Sequence, residues 1–75
     1  MAKHSDRFLS AFGSRVREFR QEAGISQEQL AHDAGVDRTY VGGVERGQYN
    51  PSLLIIKRLA DALGVHPRDF LIDDE

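Results

Sequence analysis

The sequence contains no cysteine, and no apolar run in it is long enough to cross a membrane. Without cysteine there is neither a disulfide framework nor a thiolate metal site, which suits a reducing cytoplasm. A bilayer-spanning helix needs roughly 20 apolar residues in a row, and no apolar stretch of the signal-peptide type follows the polar residues 1–7. These absences predict a cytoplasmic protein without membrane contact.

Residue patterns that support catalysis or cofactor binding are also missing. The three histidines, His4, His32 and His66, share no metal-ligand spacing. No serine, aspartate or histidine lies in a local sequence that activates a nucleophile, and no phosphate-binding glycine-rich loop follows a strand. The sequence therefore predicts no enzyme, no metal, no cofactor and no small-molecule ligand.

Acidic residues slightly outnumber basic ones, and the charge is unevenly distributed along the chain. The formal net charge is −2, a sign that argues against a generic binder of polyanions. Four of the twelve acidic residues, however, lie within residues 69–75, and residues 1–68 carry ten bases and eight acids, a net +2. Eight of the ten bases are arginine, whose planar guanidinium favours bidentate contacts. One interpretation is that the acidic tail masks the positive net charge of residues 1–68. The alternative is an ordinary solvated surface with a frayed acidic tail.

Glycine and proline divide the chain into five short segments with helical patterning. The first begins with Ser5 as a candidate cap and is predicted to end at about Glu22 or Ala23, before Gly24. Its apolar residues recur at steps of mostly three and four, which is one face of a helix. They are Phe8, Leu9, Phe12, Val16, Phe19 and Ala23.

Two shorter helices follow. Ser26 is a candidate N-cap of the second helix, and Gln29 three residues later is able to complete a capping box. Gly35 ends this helix after about two turns, and Asp37 is the candidate cap of a third helix that runs from Arg38 to about Arg46. The predicted inward residues of the two helices are Leu30, Ala31, Ala34, Val41 and Val44.

The last two segments are predicted to be helical as well. Ser52 caps a fourth helix over Leu53–Leu63, with apolar positions at Leu54, Ile55, Leu59, Ala60 and Leu63. Pro67 lies where the first residue of a short fifth helix would be. No segment alternates with a period of two, so no strand is expected and the fold class is all-α.

Two short helices joined by a glycine-containing turn are typical of the helix-turn-helix motif. In such a motif one helix lies across the DNA backbone and the next enters the major groove, which is about 12 Å wide and admits one helix. The small Ala31 permits a close helix crossing, and Gly35 permits the tight turn. We therefore place the motif at about residues 27–47.

Several segments, in this order, resemble the phage-repressor/Cro (XRE-type) helix-turn-helix family. They are SQEQLA at 26–31, AGV at 34–36, VERG at 44–47, NPSL at 50–53 and LADALGV at 59–65. The resemblance covers about residues 8–72. It implies a single lambda-repressor-like domain of five helices over residues 1–75, which binds double-stranded operator DNA as a two-fold homodimer.

Within that family, DRTYVGGVER at 37–46 is similar to the controller proteins of restriction–modification systems. Those are small dimers that time expression of the restriction endonuclease and of their own gene. The rival interpretation is a protein-interaction module of the same fold, such as an antitoxin-like or adaptor protein, in which DNA contact is secondary.

The resemblance also implies roles for individual residues. Arg38, Thr39 and Tyr40 match the first turn of the recognition helix, where family members touch base edges. Arg38 is able to donate two hydrogen bonds to guanine O6 and N7, or to bind a phosphate. Thr39 is able to bond a base through its hydroxyl or to contact thymine through its methyl group. Tyr40 is as well placed for the protein core as for DNA. The residues expected at phosphates or at the flank of the site are Gln27, Arg46, Tyr49 and Asn50.

Two further expectations concern the recognition helix. Arg20 and Glu45 match a family pair that forms a buried or half-buried ion pair and orients this helix. Gly42 and Gly43 depart from the family pattern, because many relatives carry longer polar side chains there. Gly43 is taken as a place where the backbone approaches DNA, and tight packing within the protein is the alternative.

Apolar residues near the C-terminus bear on assembly. Phe70 is predicted to fill the end of the bundle. Leu71 and Ile72 are a candidate dimer interface, since a chain of 75 residues buries only about 60% of the surface that its unfolded form exposes. The alternative is that both are buried within one monomer.

Overall fold

The computed structural model describes residues 3–71, with side chains from Arg7 onward, and in this part helices joined by turns and loops are present and no strand. The α-helices are α1 (Lys3–Glu22), α2 (Gln27–Ala34), α3 (Arg38–Glu45) and α4 (Leu53–Leu63). They agree with the first four predicted helices to within a few residues. The predicted cap Ser5 lies inside α1, and its side chain is outside the described part, as are Ile72 and the acidic residues 73–75.

The prediction of a fifth α-helix is not confirmed. Pro67–Phe70 form a single turn of 3-10 helix instead. Its hydrogen bonds join Asp69 N to the His66 carbonyl at 2.8 Å and Leu71 N to the Arg68 carbonyl at 3.0 Å, both three residues apart. The His66 and Asp69 side chains cap the backbone at the start of this turn, and bonds that span three residues are the pattern of a 3-10 helix, which is usually short.

Serine caps fix where two of the helices begin. Ser26 Oγ accepts from the backbone N–H of Gln29 at 3.0 Å, and Ser52 Oγ from that of Ile55 at 3.2 Å. The capping box predicted for α2 is only half formed, because the Gln29 side chain donates to Asp33 Oδ1 at 2.8 Å. Asp37 stands at the N-cap of α3 without a side-chain capping bond.

One apolar core joins all the elements. Leu30, Ala31 and Ala34 of α2 and Val41 and Val44 of α3 are buried, as predicted. Its other buried members are Phe12, Val16, Ile56, Leu59, Ala60 and Phe70. The ring of Phe70 meets those of Phe12 and Phe19 edge to face, with centroids 5.5 and 5.8 Å apart, so it closes the end of the bundle as expected.

Some apolar residues lie outside this core. Phe8, assigned to the inner face of α1, is 45% exposed, and Leu54 of α4 is 61% exposed while Ile56 takes the inward position. Phe8 lies at the N-terminal end of the α1 stripe, one turn before the buried Phe12, whereas Leu54 precedes the buried Ile56 by two residues and so lies on the opposite side of α4.

Candidate nucleic-acid interface

The outer face of α3 begins with two freely exposed side chains. Arg38 and Thr39 are both exposed, while Val41 and Val44 point into the core. Tyr40 is half-buried, so it belongs neither wholly to the core nor wholly to the surface. The first turn of α3 therefore presents a guanidinium, a hydroxyl and part of an aromatic ring to the solvent.

The end of α3 is held by an ion pair to α1. Arg20 Nε donates to Glu45 Oε2 at 2.7 Å, and Arg20 Nη2 donates to Glu45 Oε1 at 3.2 Å. The third nitrogen, Arg20 Nη1, donates to the carbonyl of Ile25 at 2.9 Å. Because the guanidinium is planar and uses all three nitrogens, it fixes α3 relative to both α1 and the turn that precedes α2.

Gln27 joins the same network. Its Nε2 donates to Glu45 Oε1 at 3.0 Å, a contact that spacing in the sequence does not reveal. The first N–H groups of a helix lack intrahelical partners and attract anions, and Gln27 is the first residue of α2. The Gln27 amide keeps a second N–H, so the bond to Glu45 orients the side chain without exhausting its donors.

Arg46 approaches Gln27 across the surface of Gly42. A Cβ added to Gly42 would lie 3.2 Å from Arg46 Nη1 and 3.6 Å from Gln27 Oε1. The same arginine donates from Nη2 to Gln48 Oε1 at 3.2 Å. Two of the residues predicted to contact phosphate are thus close to each other, beside the N-terminus of α2.

Two more of the residues predicted to contact DNA, Tyr49 and Asn50, lie in the loop that follows α3. Tyr49 and Asn50 are exposed, and the Tyr49 ring lies on Gly43 and stacks on Tyr40. Gly43 is therefore covered by a side chain of the protein, which is the packing alternative raised for it. Leu71, after the 3-10 turn, is 39% exposed.

Sequence reasoning missed the close approach of α1 and α3 at Gly13. A Cβ added to Gly13 would overlap the carbonyl oxygen of Val44 and lie 2.7 Å from that of Glu45. The available signal was a glycine in the middle of a strong helical pattern, which often marks a close contact. Gly13 and the Arg20–Glu45 pair together set the position of α3 relative to α1.

Other types of site are not found in the part of the chain that the structure describes. Within residues 7–71, no three histidine, aspartate or glutamate side chains come together in a way that would hold a metal ion. Among the described helices, none combines the length and the apolar character needed to cross a membrane.

The arrangement agrees with comparison to protein families. Residues 16–70 match the model of a helix-turn-helix family. The chain belongs to the XRE-type helix-turn-helix family of DNA-binding transcription regulators. The resemblance read from the sequence is thereby confirmed.

Individual relatives extend this result. The chain is 46% identical over 61 residues to an uncharacterized HTH-type transcriptional regulator of Methanothermobacter thermautotrophicus, covering 80% of this chain and 88% of that protein. It is 44% identical over 61 residues to the control protein C.BamHI of Bacillus amyloliquefaciens, covering 80% of this chain and 75% of the relative. The restriction–modification controller protein C.AhdI of Aeromonas hydrophila has a similar structure, with a TM-score of 0.81 and 56% identity over 83% of this chain and 94% of that one.

Proposed function

We propose that this protein is a sequence-specific transcription regulator of the restriction–modification controller type, acting in the cytoplasm as a homodimer on a palindromic operator. The observation that carries the proposal is the exposed first turn of α3, Arg38 and Thr39, in a chain 56% identical to C.AhdI. Arginine is the side chain best suited to bidentate recognition of guanine in the major groove.

The phosphate contacts follow from the arrangement around Gly42. Gln27 and Arg46 lie side by side there, next to the N–H groups at the start of α2, and Asn50 is exposed in the loop that follows α3. Residues 26–52 contain only two bases against four acids. Affinity therefore depends on directed hydrogen bonds more than on net charge, and we expect a shallow dependence on salt concentration.

A dimer is expected because one short helix reads only a few base pairs. Two recognition helices related by two-fold symmetry reach successive major grooves roughly 34 Å apart. Leu71 is 39% exposed in the monomer, and Leu53 and Leu54 at the start of α4 are 81% and 61% exposed. Exposed apolar side chains of this size support an interface between two copies, although Ile72, the other predicted member, lies outside the described residues.

Binding to the DNA just upstream of the protein's own gene tests the proposal. We expect a protected footprint there, and we expect Arg38→Ala to weaken binding of the protected duplex by about 1–3 kcal/mol through loss of a base contact. Lys57→Ala is the control, because it also removes one positive charge but lies on α4, outside the residues predicted to contact DNA. Lys57 is paired there with Asp61 at 2.8 Å. If Arg38→Ala and Thr39→Ala bound that duplex as wild type does, base reading by α3 would be wrong and the protein-interaction module would be favoured.

A further inference from the structure

The recognition helix lacks a side chain where its outer face would continue. Gly43 lies four residues after Thr39 and three after Tyr40, and residues at these spacings share one face of a helix. A side chain at residue 43 would therefore stand next to those of the first turn. Glycine provides none, yet Gly43 is buried.

Tyr49 occupies the vacant place. A Cβ added to Gly43 would overlap the Tyr49 ring at Cε2 and lie 2.6 Å from Cδ2, so any larger residue at position 43 would displace the ring. The loop is fixed beside this point by a hydrogen bond from Gln48 N to the Gly43 carbonyl at 2.9 Å. Gly47 turns the chain back over α3 with a φ of 77°, a conformation that favours glycine.

The ring is also held from the side. Tyr49 stacks on Tyr40 with centroids 5.0 Å apart and planes inclined by 12°, a separation typical of aromatic pairs. Tyr49 nevertheless remains 41% exposed. The two rings thus form a fixed aromatic surface that continues the exposed first turn of α3.

We propose that Tyr49 is a specificity-determining residue, which supplies from the loop the side chain that residue 43 lacks. The inference rests on the proposed function, in which α3 enters the major groove. There the tyrosine ring is suited to contact a thymine methyl group, and its hydroxyl to bond a base edge. This differs from the phosphate contact that the sequence predicts for Tyr49, because a phosphate contact carries no sequence information.

The test uses a duplex selected by the wild-type protein from a random pool, together with every single base-pair substitution of that duplex. Wild type and Tyr49→Ala are compared for the loss of affinity at each substitution. We expect discrimination to fall about tenfold in Tyr49→Ala at one or two base pairs of each half-site and to stay unchanged elsewhere. If Tyr49→Ala bound every duplex more weakly by the same factor, Tyr49 would contact a phosphate. If its discrimination between base pairs equalled that of wild type, Tyr49 would not contact the DNA bases. Either result overturns the inference.

Gly43 provides an independent second variant. Gly43→Ala should displace the Tyr49 ring and lose discrimination at the same base pairs, while Gly43→Ala in the Tyr49→Ala background should cause no further loss. Additive losses would contradict the inference, because they would show that residues 43 and 49 act separately. Thermal unfolding of each variant shows whether a loss of discrimination comes from misfolding. If one variant does not fold, the other variant still tests the inference.

Failure of this inference is distinguishable from failure of the proposed function. If the wild-type protein selected no duplex, the proposed function itself would fail before any variant was measured. If it selected a duplex and Tyr49→Ala kept the same preferences, only the role of Tyr49 would be wrong.

Discussion

Arg20 of α1 and Glu45 at the end of α3 are joined by two hydrogen bonds, of 2.7 and 3.2 Å, across 25 residues of sequence. Their side chains are only 12% and 3% exposed. Gln27 donates to the same carboxylate. The pair therefore links three helices and determines the angle at which α3 is presented.

Replacing Arg20 by alanine should destabilise the protein strongly. The Glu45 carboxylate would remain buried without its cation, which costs about 3–5 kcal/mol. The free energy of unfolding, measured with urea for both proteins, checks this. Arg17→Ala is the matched control, because Arg17 is an exposed arginine of the same helix; a change within about 0.5 kcal/mol is expected there. If the two substitutions changed the free energy of unfolding equally, the ion pair would not contribute to stability.

Gly13→Ala tests the close crossing of α1 and α3. Alanine favours a helix by up to about 1 kcal/mol over glycine, but here its methyl group would overlap the Val44 carbonyl oxygen. Overpacking of this kind usually costs about 1–3 kcal/mol, so a net loss of stability is expected in urea unfolding. Ser14→Ala, at the next and exposed position of α1, should leave stability nearly unchanged. A Gly13→Ala protein more stable than wild type would show that the two helices are not in close contact.

The N-caps are predicted to differ in their contributions. Ser52→Ala should lower stability by about 1 kcal/mol, because it removes the bond to the Ile55 backbone N–H. Asp37→Ala should cost less, since Asp37 makes no capping bond with its side chain. Thermal or urea unfolding of both variants provides the comparison. The reverse order would mean that the Ser52 side chain does not cap α4.

Homodimer formation is expected to depend on Leu71. In sedimentation velocity at a series of concentrations, the wild-type protein should pass from monomer to dimer. Leu71→Asp should shift this transition to higher concentration, because it places a charge in an apolar interface. Ser14→Asp introduces the same charge at an exposed site of α1 and should leave the transition in place. If Leu71→Asp left the monomer–dimer transition unchanged, Leu71 would not lie in the dimer interface.

Local signals in the sequence were sufficient for most of the fold. Ser26 and Ser52 mark the starts of two helices, and Gly35 marks the end of α2 with a left-handed φ of 72°, because capping depends only on neighbouring residues. The fifth helix is not confirmed as an α-helix, because Pro67–Phe70 form a 3-10 turn. Its outcome depends on a competition between hydrogen bonds over only four residues, which composition does not resolve.

Contacts between distant residues were less predictable. The Arg20–Glu45 pair was expected only from family resemblance, and nothing in the spacing indicated that Gln27 would donate to the same carboxylate. The stacking of Tyr49 on Tyr40 was not expected either. The stacking arises because Gly43 leaves space on the surface of α3 and the loop after α3 places the Tyr49 ring in that space. The sequence does not indicate this contact, because it depends on the path of the loop.

In the proposed function, α3 of each of two subunits reads one half of a palindromic DNA sequence. Selection of duplexes from a random pool by the wild-type protein, at moderate salt, tests it most directly. We expect enrichment of one palindrome with half-site centres separated by about 10 base pairs, and no such enrichment by the Arg38→Ala protein. A wild-type pool that stayed random, or an Arg38→Ala pool that converged on the same palindrome, would contradict the claim.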